Sequence, residues 1–199
     1  MKRKLLLLLL IFISGCSVVR INTSSIDNIV DVVLSKNNKL YNEEGIGYQY
    51  YIPRGVTHIE TDEQTEKLYC NGDYYYLYID TVSYFYKKHQ THIQRSDYYY
   101  YKEIDNNGKG YIAISKVDNL YYIDFYYNFA KVEAAVTKDK INMAILNASY
   151  ILSTVKYNKK IVKLMLDEEY FTNKTGKYKI FDNSTKSNKF ELKVEEDQK

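Results

Sequence analysis

Residues 120–136 read LYYIDFYYNFAKVEAAV, and their alternation carries the case for a sheet-based domain. Tyr121, Ile123, Phe125, Tyr127 and Phe129 fall on one side of an extended chain. Tyr122, Asp124, Tyr126 and Asn128 fall on the other. A period of two is the strand signature, because successive Cβ atoms leave a pleated strand on opposite faces.

Working outward from this stretch, "KDKINMAILNASYILSTVKYN" follows on its C-terminal side. There Ile141, Ala144, Ile145, Ala148, Ile151, Leu152 and Val155 share one helical face, and the two alanines allow close approach to a sheet. On the N-terminal side lie "YIAISKV", the turn "DNNGKGY", the strand "DYYYYKEI" and a long β-prone run from Tyr74 to Tyr86. Asn71 to Asp73 reads as the turn of a hairpin leading into that run. Tyr48 to Ile52 reads as a strand ended by Pro53, the chain's one proline, and Gly55. Before it, Ile26, Ile29, Val30, Val33 and Leu34 form the stripe of an amphipathic helix, with Ser24 or Ser25 as its N-cap.

Helix, strands, then helix predicts an α+β domain: an antiparallel sheet of about 5–6 strands with helices packed on its faces. The expected division is 1–15 signal peptide, 16–23 tether, 24–158 α+β domain and 159–199 C-terminal extension, partly flexible. In the last, "KKIVKLMLDEEYF" is a candidate short helix, and residues 172–199 are polar without core-building periodicity.

Two resemblances attach to particular residues. Gly47 to Gly55, "GYQYYIPRG", and Ile151 to Tyr157, "ILSTVKY", are similar to segments of the PsbP-like α/β/α sandwich. The likeness spans about residues 24 to 158 and departs from the family where Val56 replaces a tryptophan near the proline. It implies a fold shared by functionally mixed, largely non-enzymatic proteins and transfers no site residue.

The N-terminus resembles a bacterial prolipoprotein signal. Lys2, Arg3 and Lys4 precede an apolar run from Leu5 to Ile13, which is too short to span a bilayer that needs ~20 residues. Ile13-Ser14-Gly15-Cys16 then looks like a lipobox. The resemblance implies cleavage between Gly15 and Cys16, lipid on the Cys16 sulfur, and residence at the cell membrane on its extracytoplasmic face. Acyl chains at ~0.8 kcal/mol per buried methylene would hold such a protein without electrostatic help.

Charge agrees with this. The chain has 28 Lys plus Arg against 25 Asp plus Glu, and three of the basic residues lie in the signal segment. The mature chain is therefore balanced at 25 each, which gives no ground for nucleic-acid binding. With Cys16 alkylated, Cys70 has no intramolecular partner and reads as a core or half-buried thiol.

No catalytic pattern stands out. His58, His89 and His92 are the only histidines. His89 and His92 sit among Lys87, Lys88 and Arg95, a setting that disfavours a bound cation, and read as surface polar residues. No nucleophile elbow or phosphate-cradling loop is present in the sequence. The expectation is a non-catalytic binding or assembly module without cofactor or metal. Its partner would be an unknown protein or a small neutral ligand, met by sheet tyrosines near Tyr76, Tyr78, Tyr99 and Tyr122. The alternatives are a structural envelope lipoprotein and, more remotely, a hydrolase or metal-dependent enzyme using His89 and His92.

Overall fold

The computed structural model describes residues 21–105 and 107–166. The expected signal segment, the lipobox-like stretch Ile13 to Cys16 and the chain from 167 onward lie outside these residues. The fold is α+β: a seven-stranded antiparallel sheet, a separate three-stranded sheet, and four α-helices among the described residues.

In chain order the elements are α1 (Ile26–Leu34), β1 (Glu43–Gly45), β2 (Tyr48–Tyr50), β3 (Thr57–Asp62), β4 (Thr65–Cys70), β5 (Asp73–Ile79), α2 (Thr81–Tyr86), β6 (Tyr100–Ile104), β7 (Gly110–Val117), β8 (Leu120–Tyr127), β9 (Ala130–Val136), α3 (Ile141–Thr154), β10 (Lys156–Tyr157) and α4 (Lys159–Met165). The large sheet runs β3-β4-β5-β9-β8-β7-β6, and the small one β1-β2-β10. Seven strands exceed the expected 5–6. The additional pairing is the β3–β4 hairpin, whose tight turn takes Glu63 through positive φ without a glycine or asparagine to announce it.

Helix α1 starts where expected. Ser25 caps it, its hydroxyl accepting from the Asn28 amide, and Ile29, Val30, Val33 and Leu34 are buried. Helix α3 packs against α1 and lies over β8 and β9, and its Ala144 and Ala148 are buried in the shared core, essentially without solvent exposure. Both long helices among the described residues therefore sit on the same side of the sheet.

The third part of that layer is the small sheet. Tyr48 and Tyr50 of β2 join Leu68, Cys70, Tyr75 and Leu77 in one apolar core with the helices. This covered side is called the first face here. It takes Tyr75, Leu77 and Ile79 from β5, Val132, Ala134 and Val136 from β9, and Ile123 and Phe125 from β8.

The run from Tyr74 to Tyr86 is not one strand. β5 ends at Ile79, Asp80 accepts a hydrogen bond from the Ser83 amide at 2.8 Å, and Thr81–Tyr86 winds into α2. A capping carboxylate and tertiary packing outweigh the β preference of its aromatic residues. Tyr84 of α2 stacks on Tyr157 at 4.1 Å and meets Phe129 edge-on, so α2 closes one end of the sheet. Helix α4 packs beside it and belongs to the folded domain: Val162 is fully buried, close to Gly47. A Cβ at Gly47 would crowd Val162 at 3.1 Å, and its φ of +87° suits glycine.

Candidate functional site: the tyrosine face of the sheet

The alternation along β8 gives the sheet a second face of different chemistry. Ladder register aligns its rows. One row is Lys67, Tyr76, Glu133, Asp124, Ala113, Tyr101; the next is Thr65, Tyr78, Lys131, Tyr126, Tyr111, Glu103. Tyr69 pairs with Tyr74, and Ala135, Tyr122 and Ser115 align across β9, β8 and β7. Six of these positions are tyrosines for which the opposite strand supplies a charged or ring partner, the sheet's usual stabilising unit.

The chain from 87 to 99 lies over one half of this face. His92 stacks on Tyr111 with ring centroids 4.2 Å apart, and its Nε2 lies 2.7 Å from the Tyr98 hydroxyl. His89 stacks on Phe129 at 4.2 Å and approaches the Tyr126 hydroxyl with Nδ1 at 3.4 Å. The Gln90 amide donates to the same hydroxyl. Burial, followed by the nearby Lys109 and Lys87 ammoniums, lowers the pKa of His89 below its usual value. The three histidines are half-buried rather than surface residues. His58 belongs elsewhere: its Nε2 is 2.8 Å from Oε2 of the buried Glu66. Glu66 also accepts from Thr61 and Tyr48 hydroxyls, which ties the small sheet to the β3–β4 hairpin.

At the centre of the second face, Lys131 pairs with Glu133 and lies 4.9 Å from the centroid of the Tyr78 ring. The Tyr111 hydroxyl donates to both oxygens of Asp124, at 3.2 and 3.3 Å. Burial and that carboxylate together push the Tyr111 phenol far up, so it stays a neutral donor. On the first face burial leads again and pushes Tyr75 up to about 12, with a hydrogen bond to Asn147 acting the other way. Burial likewise raises the Cys70 thiol, which is buried with the Asn147 amide 3.6 Å from its sulfur, as a core cysteine.

Tyr76, Tyr78 and Tyr122, expected to line a surface, do share the second face. Tyr76 is half-buried, whereas Tyr78 and Tyr122 are buried. Tyr99 is exposed but turns away and meets Tyr121 edge-on at 4.7 Å. Alternation breaks in this run: Tyr98 and Tyr101 stack together on the second face, while Tyr100 donates to Asp27 of α1. The rings that reach solvent beside Tyr76 are Tyr69 and Tyr74, 46% exposed at Tyr74, with centroids 5.4 Å apart and Lys67 over Tyr74. Sequence reasoning missed this pair. The Asn71-Gly72 turn is the signal that could have found it, since a two-residue hairpin places Tyr69 opposite Tyr74.

Among the described residues, no three or more His, Cys, Asp or Glu side chains converge as metal ligands, and no helix is long and apolar enough to cross a membrane. Comparison of the chain with family models, curated proteins and solved structures returns no match.

Proposed function

We propose that this chain is a lipid-anchored lipoprotein, held through Cys16 on the extracytoplasmic side of the cell membrane, whose domain is a non-catalytic binding or assembly module. The observation that carries the binding reading is the strip of Tyr69, Tyr74 and Tyr76 on a sheet face that no described helix covers. Rings with hydroxyls offer stacking area and hydrogen bonds together, which suits a neutral, partly polar ligand or a protein partner. The balanced charge of the mature chain argues against nucleic acid. The anchor rests on Ile13-Ser14-Gly15-Cys16. A PsbP-like relation rests on Gly47 to Gly55 and Ile151 to Tyr157, at the level of these segments and the order of elements.

Two experiments test the proposal. Metabolic labelling with a clickable fatty acid should mark the wild-type chain and not Cys16→Ser; labelling that persists in the variant rejects the anchor. The lipidated protein in detergent should be titrated against a panel of neutral oligosaccharides and peptides. Any ligand found should bind at least tenfold more weakly to Tyr74→Ala and Tyr76→Ala, with both variants remaining folded under the conditions of the titration. Undiminished affinity in both variants rejects the tyrosine strip.

A further inference from the structure

Several elements meet at one end of the seven-stranded sheet. Helix α1 runs beside β6: Asp27 of its first turn accepts from Tyr100 and Lys102, and the Ser35 carbonyl at its other end accepts from Asn107. The N-terminus of α1 therefore stands at the end opposite the β6–β7 turn. The β7–β8 turn lies at that same end, where Val117 pairs with Leu120. So does the β4–β5 turn, because β9 carries Ala134 opposite Tyr75 and Val136 opposite Tyr121. Lys140, at the start of α3, donates to the Asn71 carbonyl and pairs with Asp73 there. Helices α2 and α4 occupy the other end, beside Ile79 and Phe129.

Large side chains are exposed around the first of these ends: Tyr99 at 49%, Leu120 at 37% and Met143 at 50%. The charges beside them balance, Lys116, Lys138 and Lys140 with Asp73, Asp118 and Asp139. The flank of α1 is different. It turns the exposed carboxylates of Asp27 and Asp31 to water, and carboxylates are costly to bring into an apolar surface.

Chain length limits how far this end can stand from Cys16. Ile21 already packs on the first-face core, and the Asn22 amide donates to the Asn28 side chain. Ile21 is five residues beyond Cys16. That is at most roughly 17–18 Å of extended chain, whereas a strand of the length of β8 runs about 27 Å along the sheet.

Given the Cys16 anchor proposed above, on which this rests, we propose that the end of the sheet bearing Tyr99, Leu120 and Met143 sits on the lipid surface. These three side chains enter the headgroup region, and α2 and α4 point away from the membrane. Tyrosine suits that region, with an apolar ring and a hydroxyl that stays wet. Because the charges there balance, the contact is apolar and needs no anionic lipid. Tyr69 and Tyr74 flank this end on the second face, so the tyrosine strip opens beside the lipid surface.

The test uses the full chain purified from membranes, with a fluorophore on Leu120→Cys, on Met143→Cys or, as the reference at the far end, on Tyr86→Cys, a position 63% exposed. Cys70 is buried, which leaves the introduced thiol to react. Each protein is reconstituted with phosphatidylcholine vesicles carrying a nitroxide at the headgroup, and flotation reports attachment. The protein should float, with quenching at positions 120 and 143 several-fold stronger than at 86. Flotation with equal quenching at the three positions, or with the strongest at 86, overturns the assignment of this end and leaves the anchor standing. A chain that does not float overturns the anchor and this proposal with it.

Discussion

The two faces of the seven-stranded sheet bury side chains by different physics. The first face is aliphatic and aromatic, with Leu77, Ile112, Ile114, Phe125 and Val132 all at or near zero exposure under helices and the small sheet. Its stability comes from apolar area removed from water and from close packing. The second face is made of tyrosines and charges whose polar atoms find one another, as in Tyr111 with Asp124 and Lys131 with Glu133. Such a face contributes less per residue, because its hydrogen bonds replace bonds to water. The lesson is that tyrosine is no single kind of residue here. Strand register decides whether a ring belongs to a core, like Tyr75, or to a polar contact surface, like Tyr76.

The sharpest break would come on the first face. Ile145→Ala, at a fully buried position of α3, should lower unfolding free energy in urea by about 2–5 kcal/mol. A loss below about 1 kcal/mol would mean that α3 does not hold the core closed.

A smaller effect tests the seam between the two sheets. Tyr48→Phe removes one of the hydroxyl donors to the buried Glu66, leaving that carboxylate less satisfied. The expected cost is about 1–3 kcal/mol, read by the same denaturation. A neutral result would show that Thr61 and His58 suffice.

The smallest effect concerns the loop over the second face, and its sign follows from His89. The folded-state pKa of His89 lies below its ordinary 6.5, through burial first and then Lys109 and Lys87. A depressed histidine contributes stability above its unfolded pKa and loses it as pH falls through the folded value. Protection factors in residues 87–95, corrected for the intrinsic pH dependence of amide exchange, should therefore fall on acidification below that ordinary value, with those of the core strands unaffected. His89→Asn should flatten the dependence; an unchanged pH profile in the variant would assign it to another group.

How far all this was legible in the sequence varied with the kind of signal. Strand β8 and helices α1 and α3 were readable because one burying face imposes a clean period, of two or of 3.6. The Asn71-Gly72 turn was readable because its backbone needs positive φ. The β3–β4 hairpin was not, since its strands are polar at the sheet edge and its turn residue is Glu63. Helix α2 was hidden by β-prone aromatics, with Asp80 as its one local cue. For the candidate site, a period of two placed Tyr76 and Tyr78 together on one face of a strand. Which of the tyrosines reach water was not legible, because that depends on what crosses the face, and local patterning carries no record of it. The four tyrosines from Tyr98 to Tyr101 show the limit most clearly. Strict alternation would pair Tyr99 with Tyr101, but Tyr101 stacks on Tyr98 where the chain enters β6.

The claim that the first face carries the fold and the second face carries contacts is tested most directly at two adjacent residues of β5. Tyr75 and Tyr76 are the same residue type on opposite faces of one strand, the first buried in the core and the second half-buried. Unfolding free energies of Tyr75→Ala and Tyr76→Ala should be measured side by side by urea denaturation. The account predicts a loss of about 3–5 kcal/mol for Tyr75→Ala and less than about 1.5 kcal/mol for Tyr76→Ala. Equal losses, or a larger loss at Tyr76, would contradict it.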